Sequence, residues 1–327
     1  MTKRLLDNGG LVLAIMLAVA MSATDFFIGS SHRLEGELGI CMPSPNLWVI
    51  PQIASWAVNL TLILGIGIVL HFFNKTYNFV SSTDTVLSAA FIVLCSSNAW
   101  IDGTINSSVI MAAAQLLCLA PLFNSYRSSN ASQQLFLVGT VLSLGSMFQY
   151  AFIFFIPAYL LIALILKCLD FRGFIAMLMG IIAPYWVGVG LGLITPESFR
   201  LPTLTNLFWG FDSRQALITG MLNCAVTFLI FLLFFLSNAV RLYAGNTRRR
   251  LMNNAISVLG FVAMICAVFD FDNLPVYMGT LYLATALQIA NFFALHNIRY
   301  GRTWVFIITM IYVASFVLME NGLKAVY

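Results

Sequence analysis

The chain has 327 residues, 61% of them apolar and 9% charged, with a net charge of +4. Water-soluble domains carry about 25% charged residues, and a chain this apolar could not bury enough of itself to remain in water. So small a net charge gives nucleic acid no foothold as a partner, and the six cysteines form no CxxC or Cys/His cluster, signalling neither a zinc site nor a disulfide framework.

The residues instead describe an all-α, polytopic integral membrane protein. It reads as a single transmembrane domain over 1–327 with no separate soluble domain. The start, MTKRLLDN before GGLVLAIMLAVAMSA, has the basic and apolar regions of a secretory signal, with Ala18-x-Ala20 as a cleavage-site pattern. Many apolar segments follow, so the expectation is an uncleaved first transmembrane helix. A crossing needs about 20 apolar residues. By that measure spans are predicted near 10–28, 47–72, 85–100, 108–123, 135–148, 152–169, 173–194, 215–238, 251–269, 274–295 and 303–319. The third to fifth are short, and Gln149-Tyr150 alone divides the fifth from the sixth. No span carries a charge near its middle, which argues against an ion-coupled transporter.

Directly behind the first span, DFFIGSSHRLEGELG gathers Asp25, His32, Arg33, Glu35 and Glu37. Glu35 and Glu37 would lie about 200° apart on a helix, so only one could face a cavity. Asp102 lies in NAWIDGTINSS between the third and fourth spans, where Asp-Gly also marks a turn. In residues 139–166, Gly139, Ser143 and Gly145 precede a polar turn and a helix with Pro157 in its first half. This predicts a tight hairpin, because Gly and Ser let backbones approach. The long connection 195–214 carries Arg200, Asp212 and Arg214, with Phe208, Trp209 and Phe211 suited to an interfacial belt. Arg248-Arg249-Arg250 read as a topology anchor that also attracts anionic lipid. Asp270 and Asp272 in FDFDN are expected to open the tenth helix as N-terminal acids. Asn59, Gln115, Asn223 and Asn291 are expected to hydrogen-bond across helices.

Eleven spans with the N-terminus inside place twelve of the sixteen Lys and Arg residues on the cytoplasmic side; Arg33, Arg200, Arg214 and Lys324 lie opposite. This is the bias of cytoplasmic loops. Nine of the twelve acids then line the outer ends of the helices. The expected location is a bacterial inner membrane, with the C-terminus in the periplasm.

The stretch GTVLSLGSMFQYAFIFFIPAYLLIALIL, with the short paired helices before it, resembles a segment of the C-type glycosyltransferases, the polytopic GT-C enzymes. KCLDFRGFIAMLMGIIAPYW, residues 167–186, resembles an uncharacterised family of Bacteroidota inner-membrane proteins. Together the resemblance covers about residues 80–195. It implies a GT-C-like helical arrangement and a polyprenyl-phosphate-linked sugar as substrate in envelope glycan assembly. It also implies an essential acid in the first outer loop, the place of Asp25, Glu35 and Glu37, although the paired acidic motif of many relatives is missing.

Inverting sugar transfer needs a carboxylate to take the acceptor's proton and cationic groups to steady the departing phosphate. The candidates for catalysis are therefore Asp25, Glu35, Glu37 and Asp102, and those for ligand binding are His32, Arg33, Arg200 and Arg214. No metal ligand set or cofactor motif is evident. Expected partners are membrane lipids, a polyprenyl-linked sugar and other membrane proteins. The bland alternative makes the acids solvated loop charges on a non-catalytic subunit that scaffolds an envelope complex. A lipid or solute transporter is the third reading.

Overall fold

The computed structural model describes residues 8–27, 39–78, 80, 84–128, 130–199, 214–242, 246–270, 273–295 and 301–324. Among these residues there is no strand, and eleven helices follow one another: α1 (Asn8–Phe27), α2 (Gln52–Tyr77), α3 (Asp84–Ser96), α4 (Ser107–Asn124), α5 (Ser132–Phe148), α6 (Phe155–Ile165), α7 (Phe171–Gly190), α8 (Arg214–Leu242), α9 (Thr247–Phe269), α10 (Leu274–Leu295) and α11 (Gly301–Lys324). Eight of them, all but α3, α5 and α6, are long and apolar enough to cross a membrane. The protein is a multi-pass helical membrane protein.

Helix α10 is the centre of the bundle. It is apolar on every side and packs against α3, α4, α8 and α9, as a helix without a polar face must. Its few polar groups are matched across helices. Tyr282 donates to Asn223 Oδ1 of α8 at 2.7 Å, and Gln288 Nε2 donates to Ser257 of α9 at 2.8 Å. Gln288 Oε1 accepts from Asn238 of α8 at 2.9 Å. In an apolar medium an unpaired amide has no solvent to turn to, so such pairs fix helix register. The polar residues anticipated within spans follow suit. Asn59 donates to the Ile101 carbonyl, Gln115 accepts from Tyr159, Asn223 donates to Ser315 and Asn291 donates to Asn253. All six cysteines are free thiols, four of them buried.

The small-residue face of α5 has a different partner from the one expected. Gly139 and Ser143 lie against α7: a β-carbon at Gly139 would collide with the Met177 carbonyl, and one at Gly180 with the Phe136 carbonyl. Ser143 donates to the Ile181 carbonyl at 2.6 Å. The α5–α6 hairpin is opened by an intervening 3₁₀ segment, Tyr150–Phe154, which presses Phe152 onto Gly145. Helix α6 then leans on α9. Pro157 stands in the first turn of α6, where the missing N–H costs no hydrogen bond.

Candidate functional site

Helix α3 has 13 residues, about 20 Å at 1.5 Å per residue, against a hydrocarbon core of about 30 Å. Helix α3 is therefore shorter than the core is thick, and the chain enters α4 through the loop 97–106, buried inside the bundle. Irregular backbone at such depth survives only where protein groups satisfy it. Here the asparagines and serines of CSSNAWIDGTINSS serve that purpose. Asn98 Oδ1 accepts from the Trp100 N–H at 3.0 Å, while its amide donates to Tyr282 of α10. Asn106 caps α4 by accepting from the N–H groups of Ser108 and Val109, and its amide donates to the carbonyls of Ile101 and Thr104. From α2, Ser55 accepts the Ile105 N–H at 2.9 Å.

This loop carries Asp102, 3% exposed, to Asp25 in the last turn of α1, 2% exposed. Glu320, near the end of α11 and 6% exposed, completes the group. Asp25 faces both Glu320 and Asp102. Its carboxylate lies directly on Gly103, which has a φ of +73°, and any β-carbon there would strike Asp25 Oδ2. The Asp-Gly pair is thus a turn and a seat for Asp25 together.

Burial lifts the Asp102 carboxyl to about 7, and the Glu320 charge adds to the rise; Ser22 and the Gly103 N–H oppose it. Ser22 itself is oriented from α2, because Trp56 Nε1 donates to its hydroxyl oxygen at 2.9 Å. Asp102 therefore exchanges its proton near neutral pH, beside two further buried carboxyls. Among the described residues, no set of three His, Cys, Asp or Glu side chains has the geometry to hold a metal ion.

A second acidic site lies at the same end of the bundle. Asp270 follows the last turn of α9 rather than opening α10. Its Oδ2 accepts from Tyr150 at 2.8 Å and from Tyr277 at 2.6 Å, and Asn273 donates to its Oδ1 at 3.0 Å. A carboxylate so fully engaged is structural: it ties the α5–α6 junction to the head of α10. The segment 39–50 closes this end, with the N–H groups of Ile40, Cys41 and Met42 on the carbonyls of Ser146 and Met147, and Ser44 bonded to Ser107.

Of the residues nominated from sequence, Asp25 and Asp102 come together. His32, Arg33, Glu35, Glu37 and Arg200 lie outside the described residues, as does Asp272. Arg214 is the first residue of α8. Glu320 is one of the nine acids that the eleven-span reading places at the outer helix ends, and it is not among the candidate site residues. Its signal was its place, the end of the last apolar span, which carries an acid as the first one does. No family model matches the chain, and neither the curated proteins nor the solved structures contain a match to it.

Proposed function

We propose that the protein is a GT-C-like membrane transferase that handles a polyprenyl-phosphate-linked sugar in envelope glycan assembly. In this reading eleven helices cross a bacterial inner membrane, the N-terminus is cytoplasmic, and the acid cluster faces the periplasm. Asp25 is the base that takes the acceptor's proton. Asp102 and Glu320 hold it in place and govern its charge.

The observation that carries this reading is the seating of Asp25, at the end of the first helix, on Gly103 of the recessed α3–α4 loop, with Asp102 beside it. A packed helix end holds a side chain more accurately than a loop does, and a base needs that accuracy. A scaffold would gain nothing from three buried carboxyls, each of which costs stability through desolvation.

The test is complementation of a deletion strain, with envelope glycans profiled by mass spectrometry. Loss of a general base lowers rate by about 10²–10⁴-fold. Asp25→Asn should therefore fail to restore the glycan while reaching the membrane in parental amount. Restoration by Asp25→Asn, Asp102→Asn and Glu320→Gln alike would end the catalytic reading.

A further inference from the structure

The opposite end of the same two helices holds a different feature. A cavity of about 630 Å³ separates α1 from α11, within the range of about 300–1,000 Å³ for ligand pockets. Ala14 and Leu17 of α1 form one wall, Thr309 and Val313 of α11 the other, and Ala90 and Val93 of α3 the floor. Arg302 lines one end of it.

Three observations restrict the occupant. First, the walls are apolar apart from Arg302, Thr309 and Tyr312, and the Tyr312 hydroxyl is bonded to Thr227; the body of the groove accepts hydrocarbon. Second, from Arg302 to Val313 it follows α11 for about 16 Å, close to half of the roughly 30 Å hydrocarbon core. That is the depth of one leaflet. Third, Arg302 stands in the first turn of α11, where free N–H groups already make a partial positive charge. An anion bound there gains from both the guanidinium and the helix end.

We propose that this groove binds one anionic phospholipid, with its phosphate at Arg302 and an acyl chain laid between α1 and α11 over α3. The site belongs to the leaflet away from the acid cluster, and it stands whether or not that cluster is catalytic. An arginine matches phosphate geometry, and the small residues Ala14 and Ala90 leave the width that a chain needs.

Native mass spectrometry of the full chain in detergent tests this, using phosphatidylglycerol and phosphatidylcholine of identical acyl chains. The parent should prefer phosphatidylglycerol by about fivefold, the contribution of one basic side chain at a lipid surface. Arg302→Gln should remove the preference and keep weak binding of both lipids. Ala90→Phe should reduce binding of both, and inorganic phosphate should not displace the bound lipid. An unchanged preference in Arg302→Gln, which sits at an exposed position and should melt like the parent, would overturn the proposal even if Ala90→Phe failed to fold. Displacement by inorganic phosphate would overturn it in favour of a simple anion site. A lipid-free dimer that Ala90→Phe dissociates would overturn it in favour of a second copy of the chain.

Discussion

At the scale of single residues, the electrostatics of the buried acids are clearest at Asp102. Its carboxyl rises from the ordinary 3.8 to about 7, chiefly through burial. The folded protein therefore keeps a proton that the unfolded chain releases above about pH 4. The sign follows: stability is full in acid, declines as pH rises from about 4 towards 7, and then levels off. Thermal melting in detergent between about pH 5 and 8 should show a falling midpoint for the parent. Asp102→Asn, which cannot ionise, should flatten that slope and melt above the parent at the alkaline end. An identical slope in the variant would mean that Asp102 does not titrate in the fold. Its neighbour offers a second check. Gly103→Ala places a methyl group against Asp25 Oδ2 in a left-handed backbone conformation, so it should cost about 1–3 kcal/mol through overpacking. In the glycan assay it should reproduce the defect of Asp25→Asn. A variant with normal melting and normal glycan would show that Asp25 is not seated there.

Which of these residues could be read in advance follows from physics. Asp25 and Asp102 stood out because an ionised side chain next to an apolar run is expensive in a bilayer, and each lies at the end of one. Glu320 occupies the same kind of position but belongs to no motif, and nothing linear relates the end of the last helix to the end of the first. Asp270 shows the converse. Its spacing fitted an N-terminal acid, yet two tyrosine hydroxyls from distant elements are better partners than helix N–H groups, and only the fold brings them near.

Among the elements, α5 and α7 form the closest pair, and their contact explains why a 17-residue helix is held firmly. Gly139 and Gly180 face each other's helices across a gap with no room for a β-carbon. Helix pairs in membranes gain van der Waals contact and weak hydrogen bonds by such approach. Gly180→Leu should therefore destabilise the purified protein by about 1–3 kcal/mol. Gly190→Leu on the same helix, where a β-carbon meets nothing within 4 Å, should melt like the parent. Equal melting of both variants would mean that the α5–α7 seam contributes nothing. The helices themselves were legible because hydrophobic length sets them, and the Gln149 break was legible because a polar dipeptide interrupted an apolar run. The partner of α5 was not. Small residues announce close packing but not against which neighbour, and the 3₁₀ segment after Phe148 carries α6 away from the face that sequence proximity favours.

The whole molecule has two chemically distinct ends. Asp25, Asp102, Glu320 and Asp270 gather at one. At the other, the Arg127 N–H bonds to the Leu166 carbonyl, Arg248 lies over the Tyr126 ring and Arg241 donates to the Leu295 carbonyl. These contacts bring arginines together at the ends of α4, α6, α8 and α10 and the start of α9. The proposed topology puts charge of this sign on the cytoplasmic side and so turns the acid cluster outward. The inference depends on the short helices α3, α5 and α6 each reversing the chain. Their lengths alone do not require a crossing, but the contacts do require reversal, since α3 joins the basic-end half of α1 to the acid cluster and α6 returns from Tyr150 to the Arg127 loop. In the proposed topology, eleven crossings joined by ten reversals leave the termini on opposite sides. A reporter enzyme active only outside the cytoplasm, fused after Tyr327, should be active, and the same reporter fused after Arg127 should be silent. Activity at Arg127, or silence at Tyr327, would mean that one of the short helices does not cross. The acid cluster would then face the cytoplasm, where a polyprenyl-linked donor used in the periplasm is out of reach, and the proposed reaction would fall with the topology.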